Sequence, residues 1–363
     1  MSKTNDDLAL LREQLIMEEK QRTHFKVCTL NLYNYVAPPN AFYESENIYS
    51  SAQWQKKENW INKQLSCLQP DIIGFQEVFS PAELQKLALK HALPYFETVS
   101  EPGLRADYVF DKPVVALASK FPIVSLSAVD VAPKVLKDLS LQPDFSFSRP
   151  PLRAEIDVEG MGRVLVYVVH LKSQRSQLES ALQETEDTLR DISSSMLAQV
   201  HGRWASAIQR GTETALIYHD IVQQMCKSQR PVILMGDLNE TIASPAIQPL
   251  LGGANMDKLD NKYISSMNIN QQRAIQRFSL YDAFSLQDKI KPSERQATHY
   301  FANRGSVLDY ILMSKDFNMN YDHSMASVSD YHVIDKHLVN PKYEDDAECS
   351  DHALVMVEIE LRI

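Results

Sequence analysis

Residues 233–241 read ILMGDLNET, an apolar run that closes on Gly236, Asp237 and Asn239. The run of Ile233, Leu234 and Met235 reads as a strand buried on both faces, and it delivers an acid and an amide to the strand end. Active sites of layered α/β proteins sit at such ends. Four other segments make the same passage from strand to polar group. VCTLN closes on Asn31, IIGFQE on Glu77 and VLVYVVH on His170, while LDYIL opens with Asp309. A sixth, SDHALVMVEIEL, places Asp351 and His352 directly before the last strand.

Taken singly, each has a plain structural explanation, since a lone Asp or Asn after a strand makes a turn or caps a helix. The ensemble changes the weighing. Two carboxylates with an amide suit a hard cation, which prefers oxygen ligands, and two imidazoles with a further carboxylate suit acid and base work near neutral pH.

With TLN, GFQEV, ALASKFPI, FSRPPLRAEI, VVHLKSQ, GDLNET, LDYIL and SDHALV in this order, the chain resembles the endonuclease/exonuclease/phosphatase superfamily from about Phe25 to Leu361. These are metal-dependent phosphoesterases that include deoxyribonuclease I, exonuclease III, sphingomyelinases and inositol polyphosphate 5-phosphatases. His170 in HLKS is similar to the deoxyribonuclease I branch and to bacterial predicted nucleases. The resemblance implies an α/β fold, a four-layered α/β sandwich with two packed central β-sheets.

The chemistry of phosphoester hydrolysis assigns roles to these residues. Glu77 is the best ligand for Mg²⁺ or Mn²⁺, with Asn31 orienting it or touching the metal and Asp351 facing the metal side. By resemblance, Asp237 belongs near the attacking water or a second metal position, and Asn239 donates to the phosphate oxygen that gains charge. Their i, i+2 spacing points both the same way from an extended segment. His352 is a general base or a phosphate-binding imidazole whose tautomer Asp309 would hold. His170 is a candidate general acid or phosphate contact. For an acid to orient it, Asp107 and Asp111 are the candidates between Glu77 and His170. Arg149 matches the arginine that touches phosphate in deoxyribonuclease I, with Arg153 competing for that role.

The 363 residues can bury a large core. The composition, 44% hydrophobic and 23% charged, excludes a disordered or fibrous chain. The net charge of -10 argues against gripping nucleic acid by broad phosphate neutralisation. A local basic strip of Arg149, Arg153, Lys172 and Arg175 would still draw in a polyanion, so a nucleic acid substrate is expected to bind weakly. No run approaches the 18 or so apolar residues that cross a bilayer. Cys28, Cys67, Cys226 and Cys349 form no CxxC pair, and the N-terminal segment lacks the apolar core and cleavage site of a signal peptide. Both favour a cytoplasmic location.

The spacing predicts an N-terminal helix over residues 1–22, with Leu8, Leu11 and Leu15 as its stripe, followed by one domain over residues 23–363. A helical insertion is expected at about residues 175–210, in a region with room for two helices. There Leu178, Leu182, Thr185, Leu189, Ile192 and Met196 form a heptad-like stripe. It either packs on its own domain, the favoured reading at this length, or meets a partner or a second copy. Residues 316–350, rich in Asp, His and Tyr, read as solvated loop.

The expected function is divalent-metal-dependent phosphodiester hydrolysis, foremost by an endonuclease on DNA or RNA. The alternatives are a phosphatase or phosphodiesterase on a small phosphoester or phospholipid headgroup, and an inactive scaffold of the same fold.

Overall fold

The computed structural model describes residues 24–176, 188–251, 266–287, 295–321 and 323–362. The expected N-terminal helix lies outside them. Two six-stranded sheets carry the architecture. In the first, the order is Ala326–Ile334, Leu354–Leu361, His24–Tyr35, Ile72–Val78, Val114–Ser119 and Tyr95–Thr98. In the second it is Leu280–Asp282, Asp309–Ser314, Val232–Asp237, Gly162–His170, Leu152–Val158 and Ile123–Ala128.

The central strands of both sheets are apolar on both faces, as a middle layer requires. One face of each sheet meets the other sheet: Val27, Ile72 and Val357 from the first pack with Val168, Met235 and Ile311 from the second. The outer face of the first sheet buries Leu30, Ile73 and Phe75 against Trp60, Ile61 and Leu65 of the helix Ser51–Leu68 and Leu84 and Leu87 of the helix Pro81–Lys90. The outer face of the second buries Tyr167, Leu234 and Leu312 against Ile217, Ile221 and Met225 of the helix Thr188–Lys227. The result is the four-layered sandwich that the sequence motifs imply.

Strand register sets the site. The parallel pair Gly162–His170 and Val232–Asp237 aligns His170 with Asp237, and the next, antiparallel strand aligns Asp309 with Asp237. Three polar side chains therefore end side by side. In the other sheet the parallel pair aligns Asn31 with Gln76, one residue before Glu77.

Among the described residues, the inserted region with room for two helices holds one of 40 residues, Thr188–Lys227. At 1.5 Å per residue it is about 60 Å long, three times the reach of the six-residue strand it leads into. Its second half is anchored by the buried Leu216, Ile217, Ile221 and Met225. Its first half is not. Leu189, Ile192 and Met196 of the heptad stripe are exposed, as are Val200 and Trp204. The favoured reading, a stripe packed on its own domain, does not hold for these residues; Leu178, Leu182 and Thr185 lie outside the described part. Residues 316–350 also differ from the loop expected, because Ala326–Ile334 forms a nine-residue strand at the edge of the first sheet. Among the described residues, no helix is long and apolar enough to cross a membrane.

Gly236 stands directly beneath the site. Its φ of +144° is a region that L side chains rarely adopt, and a Cβ there would lie 1.9 Å from the Val169 carbonyl oxygen. Gly162, at φ +79° in a hairpin, faces open space. Gly236→Ala is therefore expected to cost at least about 3 kcal/mol of folding free energy, and Gly162→Ala about 1 kcal/mol. Urea unfolding of the two variants checks this. Equal costs would contradict the close approach at Gly236.

Candidate active site

Where the two sheets open toward solvent, Asn31 joins them. Its amide nitrogen donates to Asp237 Oδ2 across 3.1 Å and lies 3.4 Å from Glu77 Oε1, while its oxygen accepts from the Tyr33 amide at 3.0 Å. Of the two roles left open for Asn31, orienting carboxylates is the one this geometry supports. Glu77 sits at φ +59° where the strand register shifts, which turns its carboxylate out of the sheet. There Glu77 Oε2 accepts from the Asn34 amide at 2.9 Å.

Asp237 is buried, and its Oδ1 accepts from the Asn239 backbone at 2.7 Å. The extended i, i+2 geometry expected for Asp237 and Asn239 is not what brings them together. Asn239 is in the left-handed region at φ +52°, which folds its side chain back. Its amide then donates to Asp237 Oδ2 at 3.1 Å and to the Leu171 carbonyl at 3.0 Å. Both contacts lie inside the protein, and through them Asn239 holds Asp237.

His352 Nδ1 lies 2.8 Å from Asp309 Oδ2, the pairing expected from the sequence. Its Nε2 is 3.9 Å from Asp237 Oδ2 and 4.0 Å from Asp351 Oδ1. The loop is held by Ser350, whose hydroxyl donates to the Asn31 carbonyl at 2.6 Å and accepts from the His352 amide at 2.9 Å. Thr298 completes the frame: its hydroxyl oxygen accepts from the Leu308 and Asp309 amides at 2.9 and 3.1 Å.

His170 Nε2 is 3.5 Å from Asp237 Oδ2, and its Nδ1 is buried without a partner among the described residues. Neither Asp107 nor Asp111 orients it; Asp237 is the carboxylate beside it. Asp111 lies in a strand of a separate small sheet, Val109–Lys112, and Asp107 directly precedes that strand.

These surroundings divide the two imidazoles. Burial lowers the pKa of His170 well below 6.5, and the cations Arg149, His352 and Lys172 lower it further, so His170 is neutral. Burial also acts to lower His352, but Asp309 and Asp237 outweigh it and hold His352 well above 6.5, as an imidazolium. Burial, reinforced by Asp309 and opposed by His352, pushes Asp237 up to about 7. Asp351 is raised too, by burial and then by the repulsion of Glu77 against the pull of His352.

Arg149 lies at the rim, its Nη1 3.4 Å from the Leu171 carbonyl. Arg153 is removed from the contest, because it pairs with Asp220 at 2.5 Å on the outer face of the second sheet. Arg149 and Lys172 are placed by the long helix, where Glu213 accepts from the Ser148 amide at 2.7 Å and the Lys172 amide at 2.8 Å.

Three site residues had no assignment from sequence. His299 stacks on His352 with ring centroids 4.9 Å apart, and with Asp351 and His352 it forms a group able to hold a metal ion. Tyr33 stands half exposed at φ +50°, within the field of Asp351 and Glu77. Lys57 is buried within the field of the same two carboxylates, and burial brings its ammonium down to about 8 while Glu77 and Asp351 pull it up. A signal existed for Lys57 alone: it falls in the apolar stripe of Trp54, Ile61 and Leu65.

The donor set fits a hard divalent cation. Asp351 with His299 and His352, and Asp237 and Asp309 with His352, form two groups able to hold a metal ion, and Glu77, whose charge repels that of Asp351, adds a further oxygen ligand nearby.

No curated relative matches the chain by sequence. Among solved structures, the human Nocturnin catalytic domain with bound sulfate anion is 15% identical, covers 94% of this chain and 96% of its own, and has a TM-score of 0.53. An endonuclease/exonuclease/phosphatase from Bacteroides vulgatus is 15% identical over 94% of this chain and 100% of its own, with a TM-score of 0.51. A humanised TDP2 from D. rerio is 11% identical over 93% of this chain and 100% of its own, with a TM-score of 0.52. At such identities the likeness is one of fold. Residues 47–352 match the Endonuclease/Exonuclease/phosphatase family, and the chain belongs to it.

Proposed function

We propose that this protein is a Mg²⁺- or Mn²⁺-dependent phosphodiesterase that cleaves nucleic acid, foremost as an endonuclease on DNA or RNA. The observation that carries the reading is the convergence of Asn31, Glu77, Asp237, Asp309, Asp351 and His352, with His170 and Arg149, at one opening between two sheets. The acids and histidines of the set are all present, which counts against an inactive scaffold. The sulfate of the Nocturnin structure is a tetrahedral anion of the shape of a phosphate.

Glu77 and Asp351 would hold the cation, which when bound would supply neutralisation of charge on the phosphate and leaving oxygens. The His352 imidazolium, fixed by Asp309, donates to a non-bridging phosphate oxygen. Asp237, raised to about 7, takes the proton of the attacking water. This moves the general-base role from His352, which already carries its proton, to Asp237. Neutral His170 and Asn239 keep Asp237 in place. Arg149 offers a guanidinium fork to the phosphate from the rim, with Lys172 and Arg175 adding local positive charge.

A small phosphoester or phospholipid headgroup is the second reading, favoured by the net charge of -10 and by the exposed apolar residues Met196, Val200 and Trp204 on the helix that places the rim.

Glu77→Gln is expected to abolish Mg²⁺-dependent turnover of plasmid DNA, RNA, an inositol phosphate or sphingomyelin, whichever the wild type hydrolyses, while the thermal midpoint stays within about 3 °C. Full turnover by the folded variant would sink the metal assignment. Binding of a duplex to Glu77→Gln in Ca²⁺ should weaken steeply with salt, and Arg149→Ala should flatten that slope by about one unit. No binding even at low salt, alongside turnover of a small phosphoester, would favour the second reading.

The pH dependence follows from His352. Asp309 favours the imidazolium, so neutral Asn at 309 lowers the His352 pKa, and the alkaline limb of kcat/KM should move to lower pH in Asp309→Asn. The stability this ion pair contributes is complete below about 6.5 and is lost as pH rises through the higher folded-state value. Thermal destabilisation by Asp309→Asn should accordingly be largest near pH 6 and shrink on the alkaline side. An unmoved limb and a pH-independent loss would break the pairing.

A further inference from the structure

Lys57 carries a charge into the interior at a place where the reaction does not need it. It is 1% exposed, on the apolar side of the helix Ser51–Leu68. Among the described residues its one hydrogen bond runs 3.5 Å to the Glu348 carbonyl. The faces of Tyr33 and Tyr49 lie 5.5 and 5.4 Å from the nitrogen. A buried ammonium so sparsely bonded is unfavourable unless nearby anions or π-faces compensate it. The acidic side chains that act on it are Glu77 and Asp351 foremost, then Glu348.

The cage around Lys57 and the ligand side of the site are one construction. Tyr33 is fixed by its amide bond to Asn31 Oδ1, and the next residue, Asn34, donates its amide to Glu77. Lys57 is therefore joined to the ligand side through Tyr33 and the Asn34 amide, and at 1% exposure it is out of reach of a substrate. A cation in that position offsets the repulsion between Glu77 and Asp351. Once a divalent ion binds, the same charge repels it.

We propose that Lys57 is the internal counter-cation of the Glu77 and Asp351 pair, a positioning residue that holds the two carboxylates together before the divalent cation arrives and limits the affinity for it afterwards. The inference rests on the metal-dependent reading of the site and adds what sets the strength of binding there.

The test uses the full chain and Mn²⁺, with binding followed by calorimetry and by electron paramagnetic resonance, and thermal melts in chelator. Lys57→Met keeps the length of the stem and removes the charge. Its Kd for Mn²⁺ should tighten about tenfold, its melting point in chelator should fall, and saturating Mn²⁺ should restore more of it than in the wild type. Lys57→Arg, which keeps the charge, should bind Mn²⁺ within about threefold of wild type. Lys57→Gln keeps a donor for the Glu348 carbonyl and gives the same readout if the methionine variant does not fold. A Kd unchanged within about twofold, or weaker, in the neutral variants overturns the counter-cation role. A purely structural lysine would lower the melting point without tightening the metal. Absence of Mn²⁺ binding in wild type and variants alike overturns the metal reading itself, and the inference with it.

Discussion

One oxygen atom ties the two sheets together. Asp237 Oδ2 accepts from Asn31 at 3.1 Å and from Asn239 at 3.1 Å, with His170 Nε2 at 3.5 Å and His352 Nε2 at 3.9 Å. Asn31 belongs to the first sheet and lies 206 residues away in sequence. The layer between the sheets is apolar, made of Val, Ile, Leu and Met side chains, and such contacts alone discriminate weakly between neighbouring alignments. The polar knot at its edge has directional bonds and admits one alignment. Burying its carboxylate is unfavourable, as the rise of Asp237 to about 7 records, and the extensive apolar burial beneath it compensates.

That knot explains what could be read in advance. The strands were visible because buried central strands are written as unbroken apolar runs, and their order along the chain matched a known set of motifs. Asn31, Glu77, Asp237, Asp309 and His352 stood out because each ends or precedes such a run. The pairing of Asp309 with His352 was legible from the motifs too. Conformation at single residues was not. Asn239 and Glu77 are left-handed at +52° and +59°, and no local pattern announces an L residue there. The length of the helix Thr188–Lys227 was not legible because its first half has no core to face, and the choice between Arg149 and Arg153 was left open because Asp220 reaches Arg153 only through the fold. Lys57 shows the limit in another way. A lysine inside an apolar stripe is a visible anomaly, yet its meaning depends on two carboxylates brought from opposite ends of the chain.

The division of labour between the imidazoles is a further property that no linear motif contains. His170 and His352 are both buried, and burial acts on both in the same direction. What separates them is the neighbours that topology supplies. Arg149 and Lys172 surround His170, while Asp309 bonds His352 directly at 2.8 Å. One ring is left neutral and the other charged within reach of the same carboxylate, and a catalytic unit needs such a difference between its proton donor and its spectators.

Several unfavourable features of the structure lie at the same place. Ten non-glycine residues have positive φ among those described, and Tyr33, Asn34, Glu77 and Asn239 belong to the site. Among the described residues, buried polar atoms without partners include Asn34 Oδ1, His170 Nδ1 and Asp309 Oδ1. A scaffold selected for stability alone would shed these costs, since each is removable by a conservative substitution. The fold thus holds in place an arrangement of charge and backbone around four carboxylates and a buried lysine, and the extensive apolar burial of the layers beneath compensates its cost.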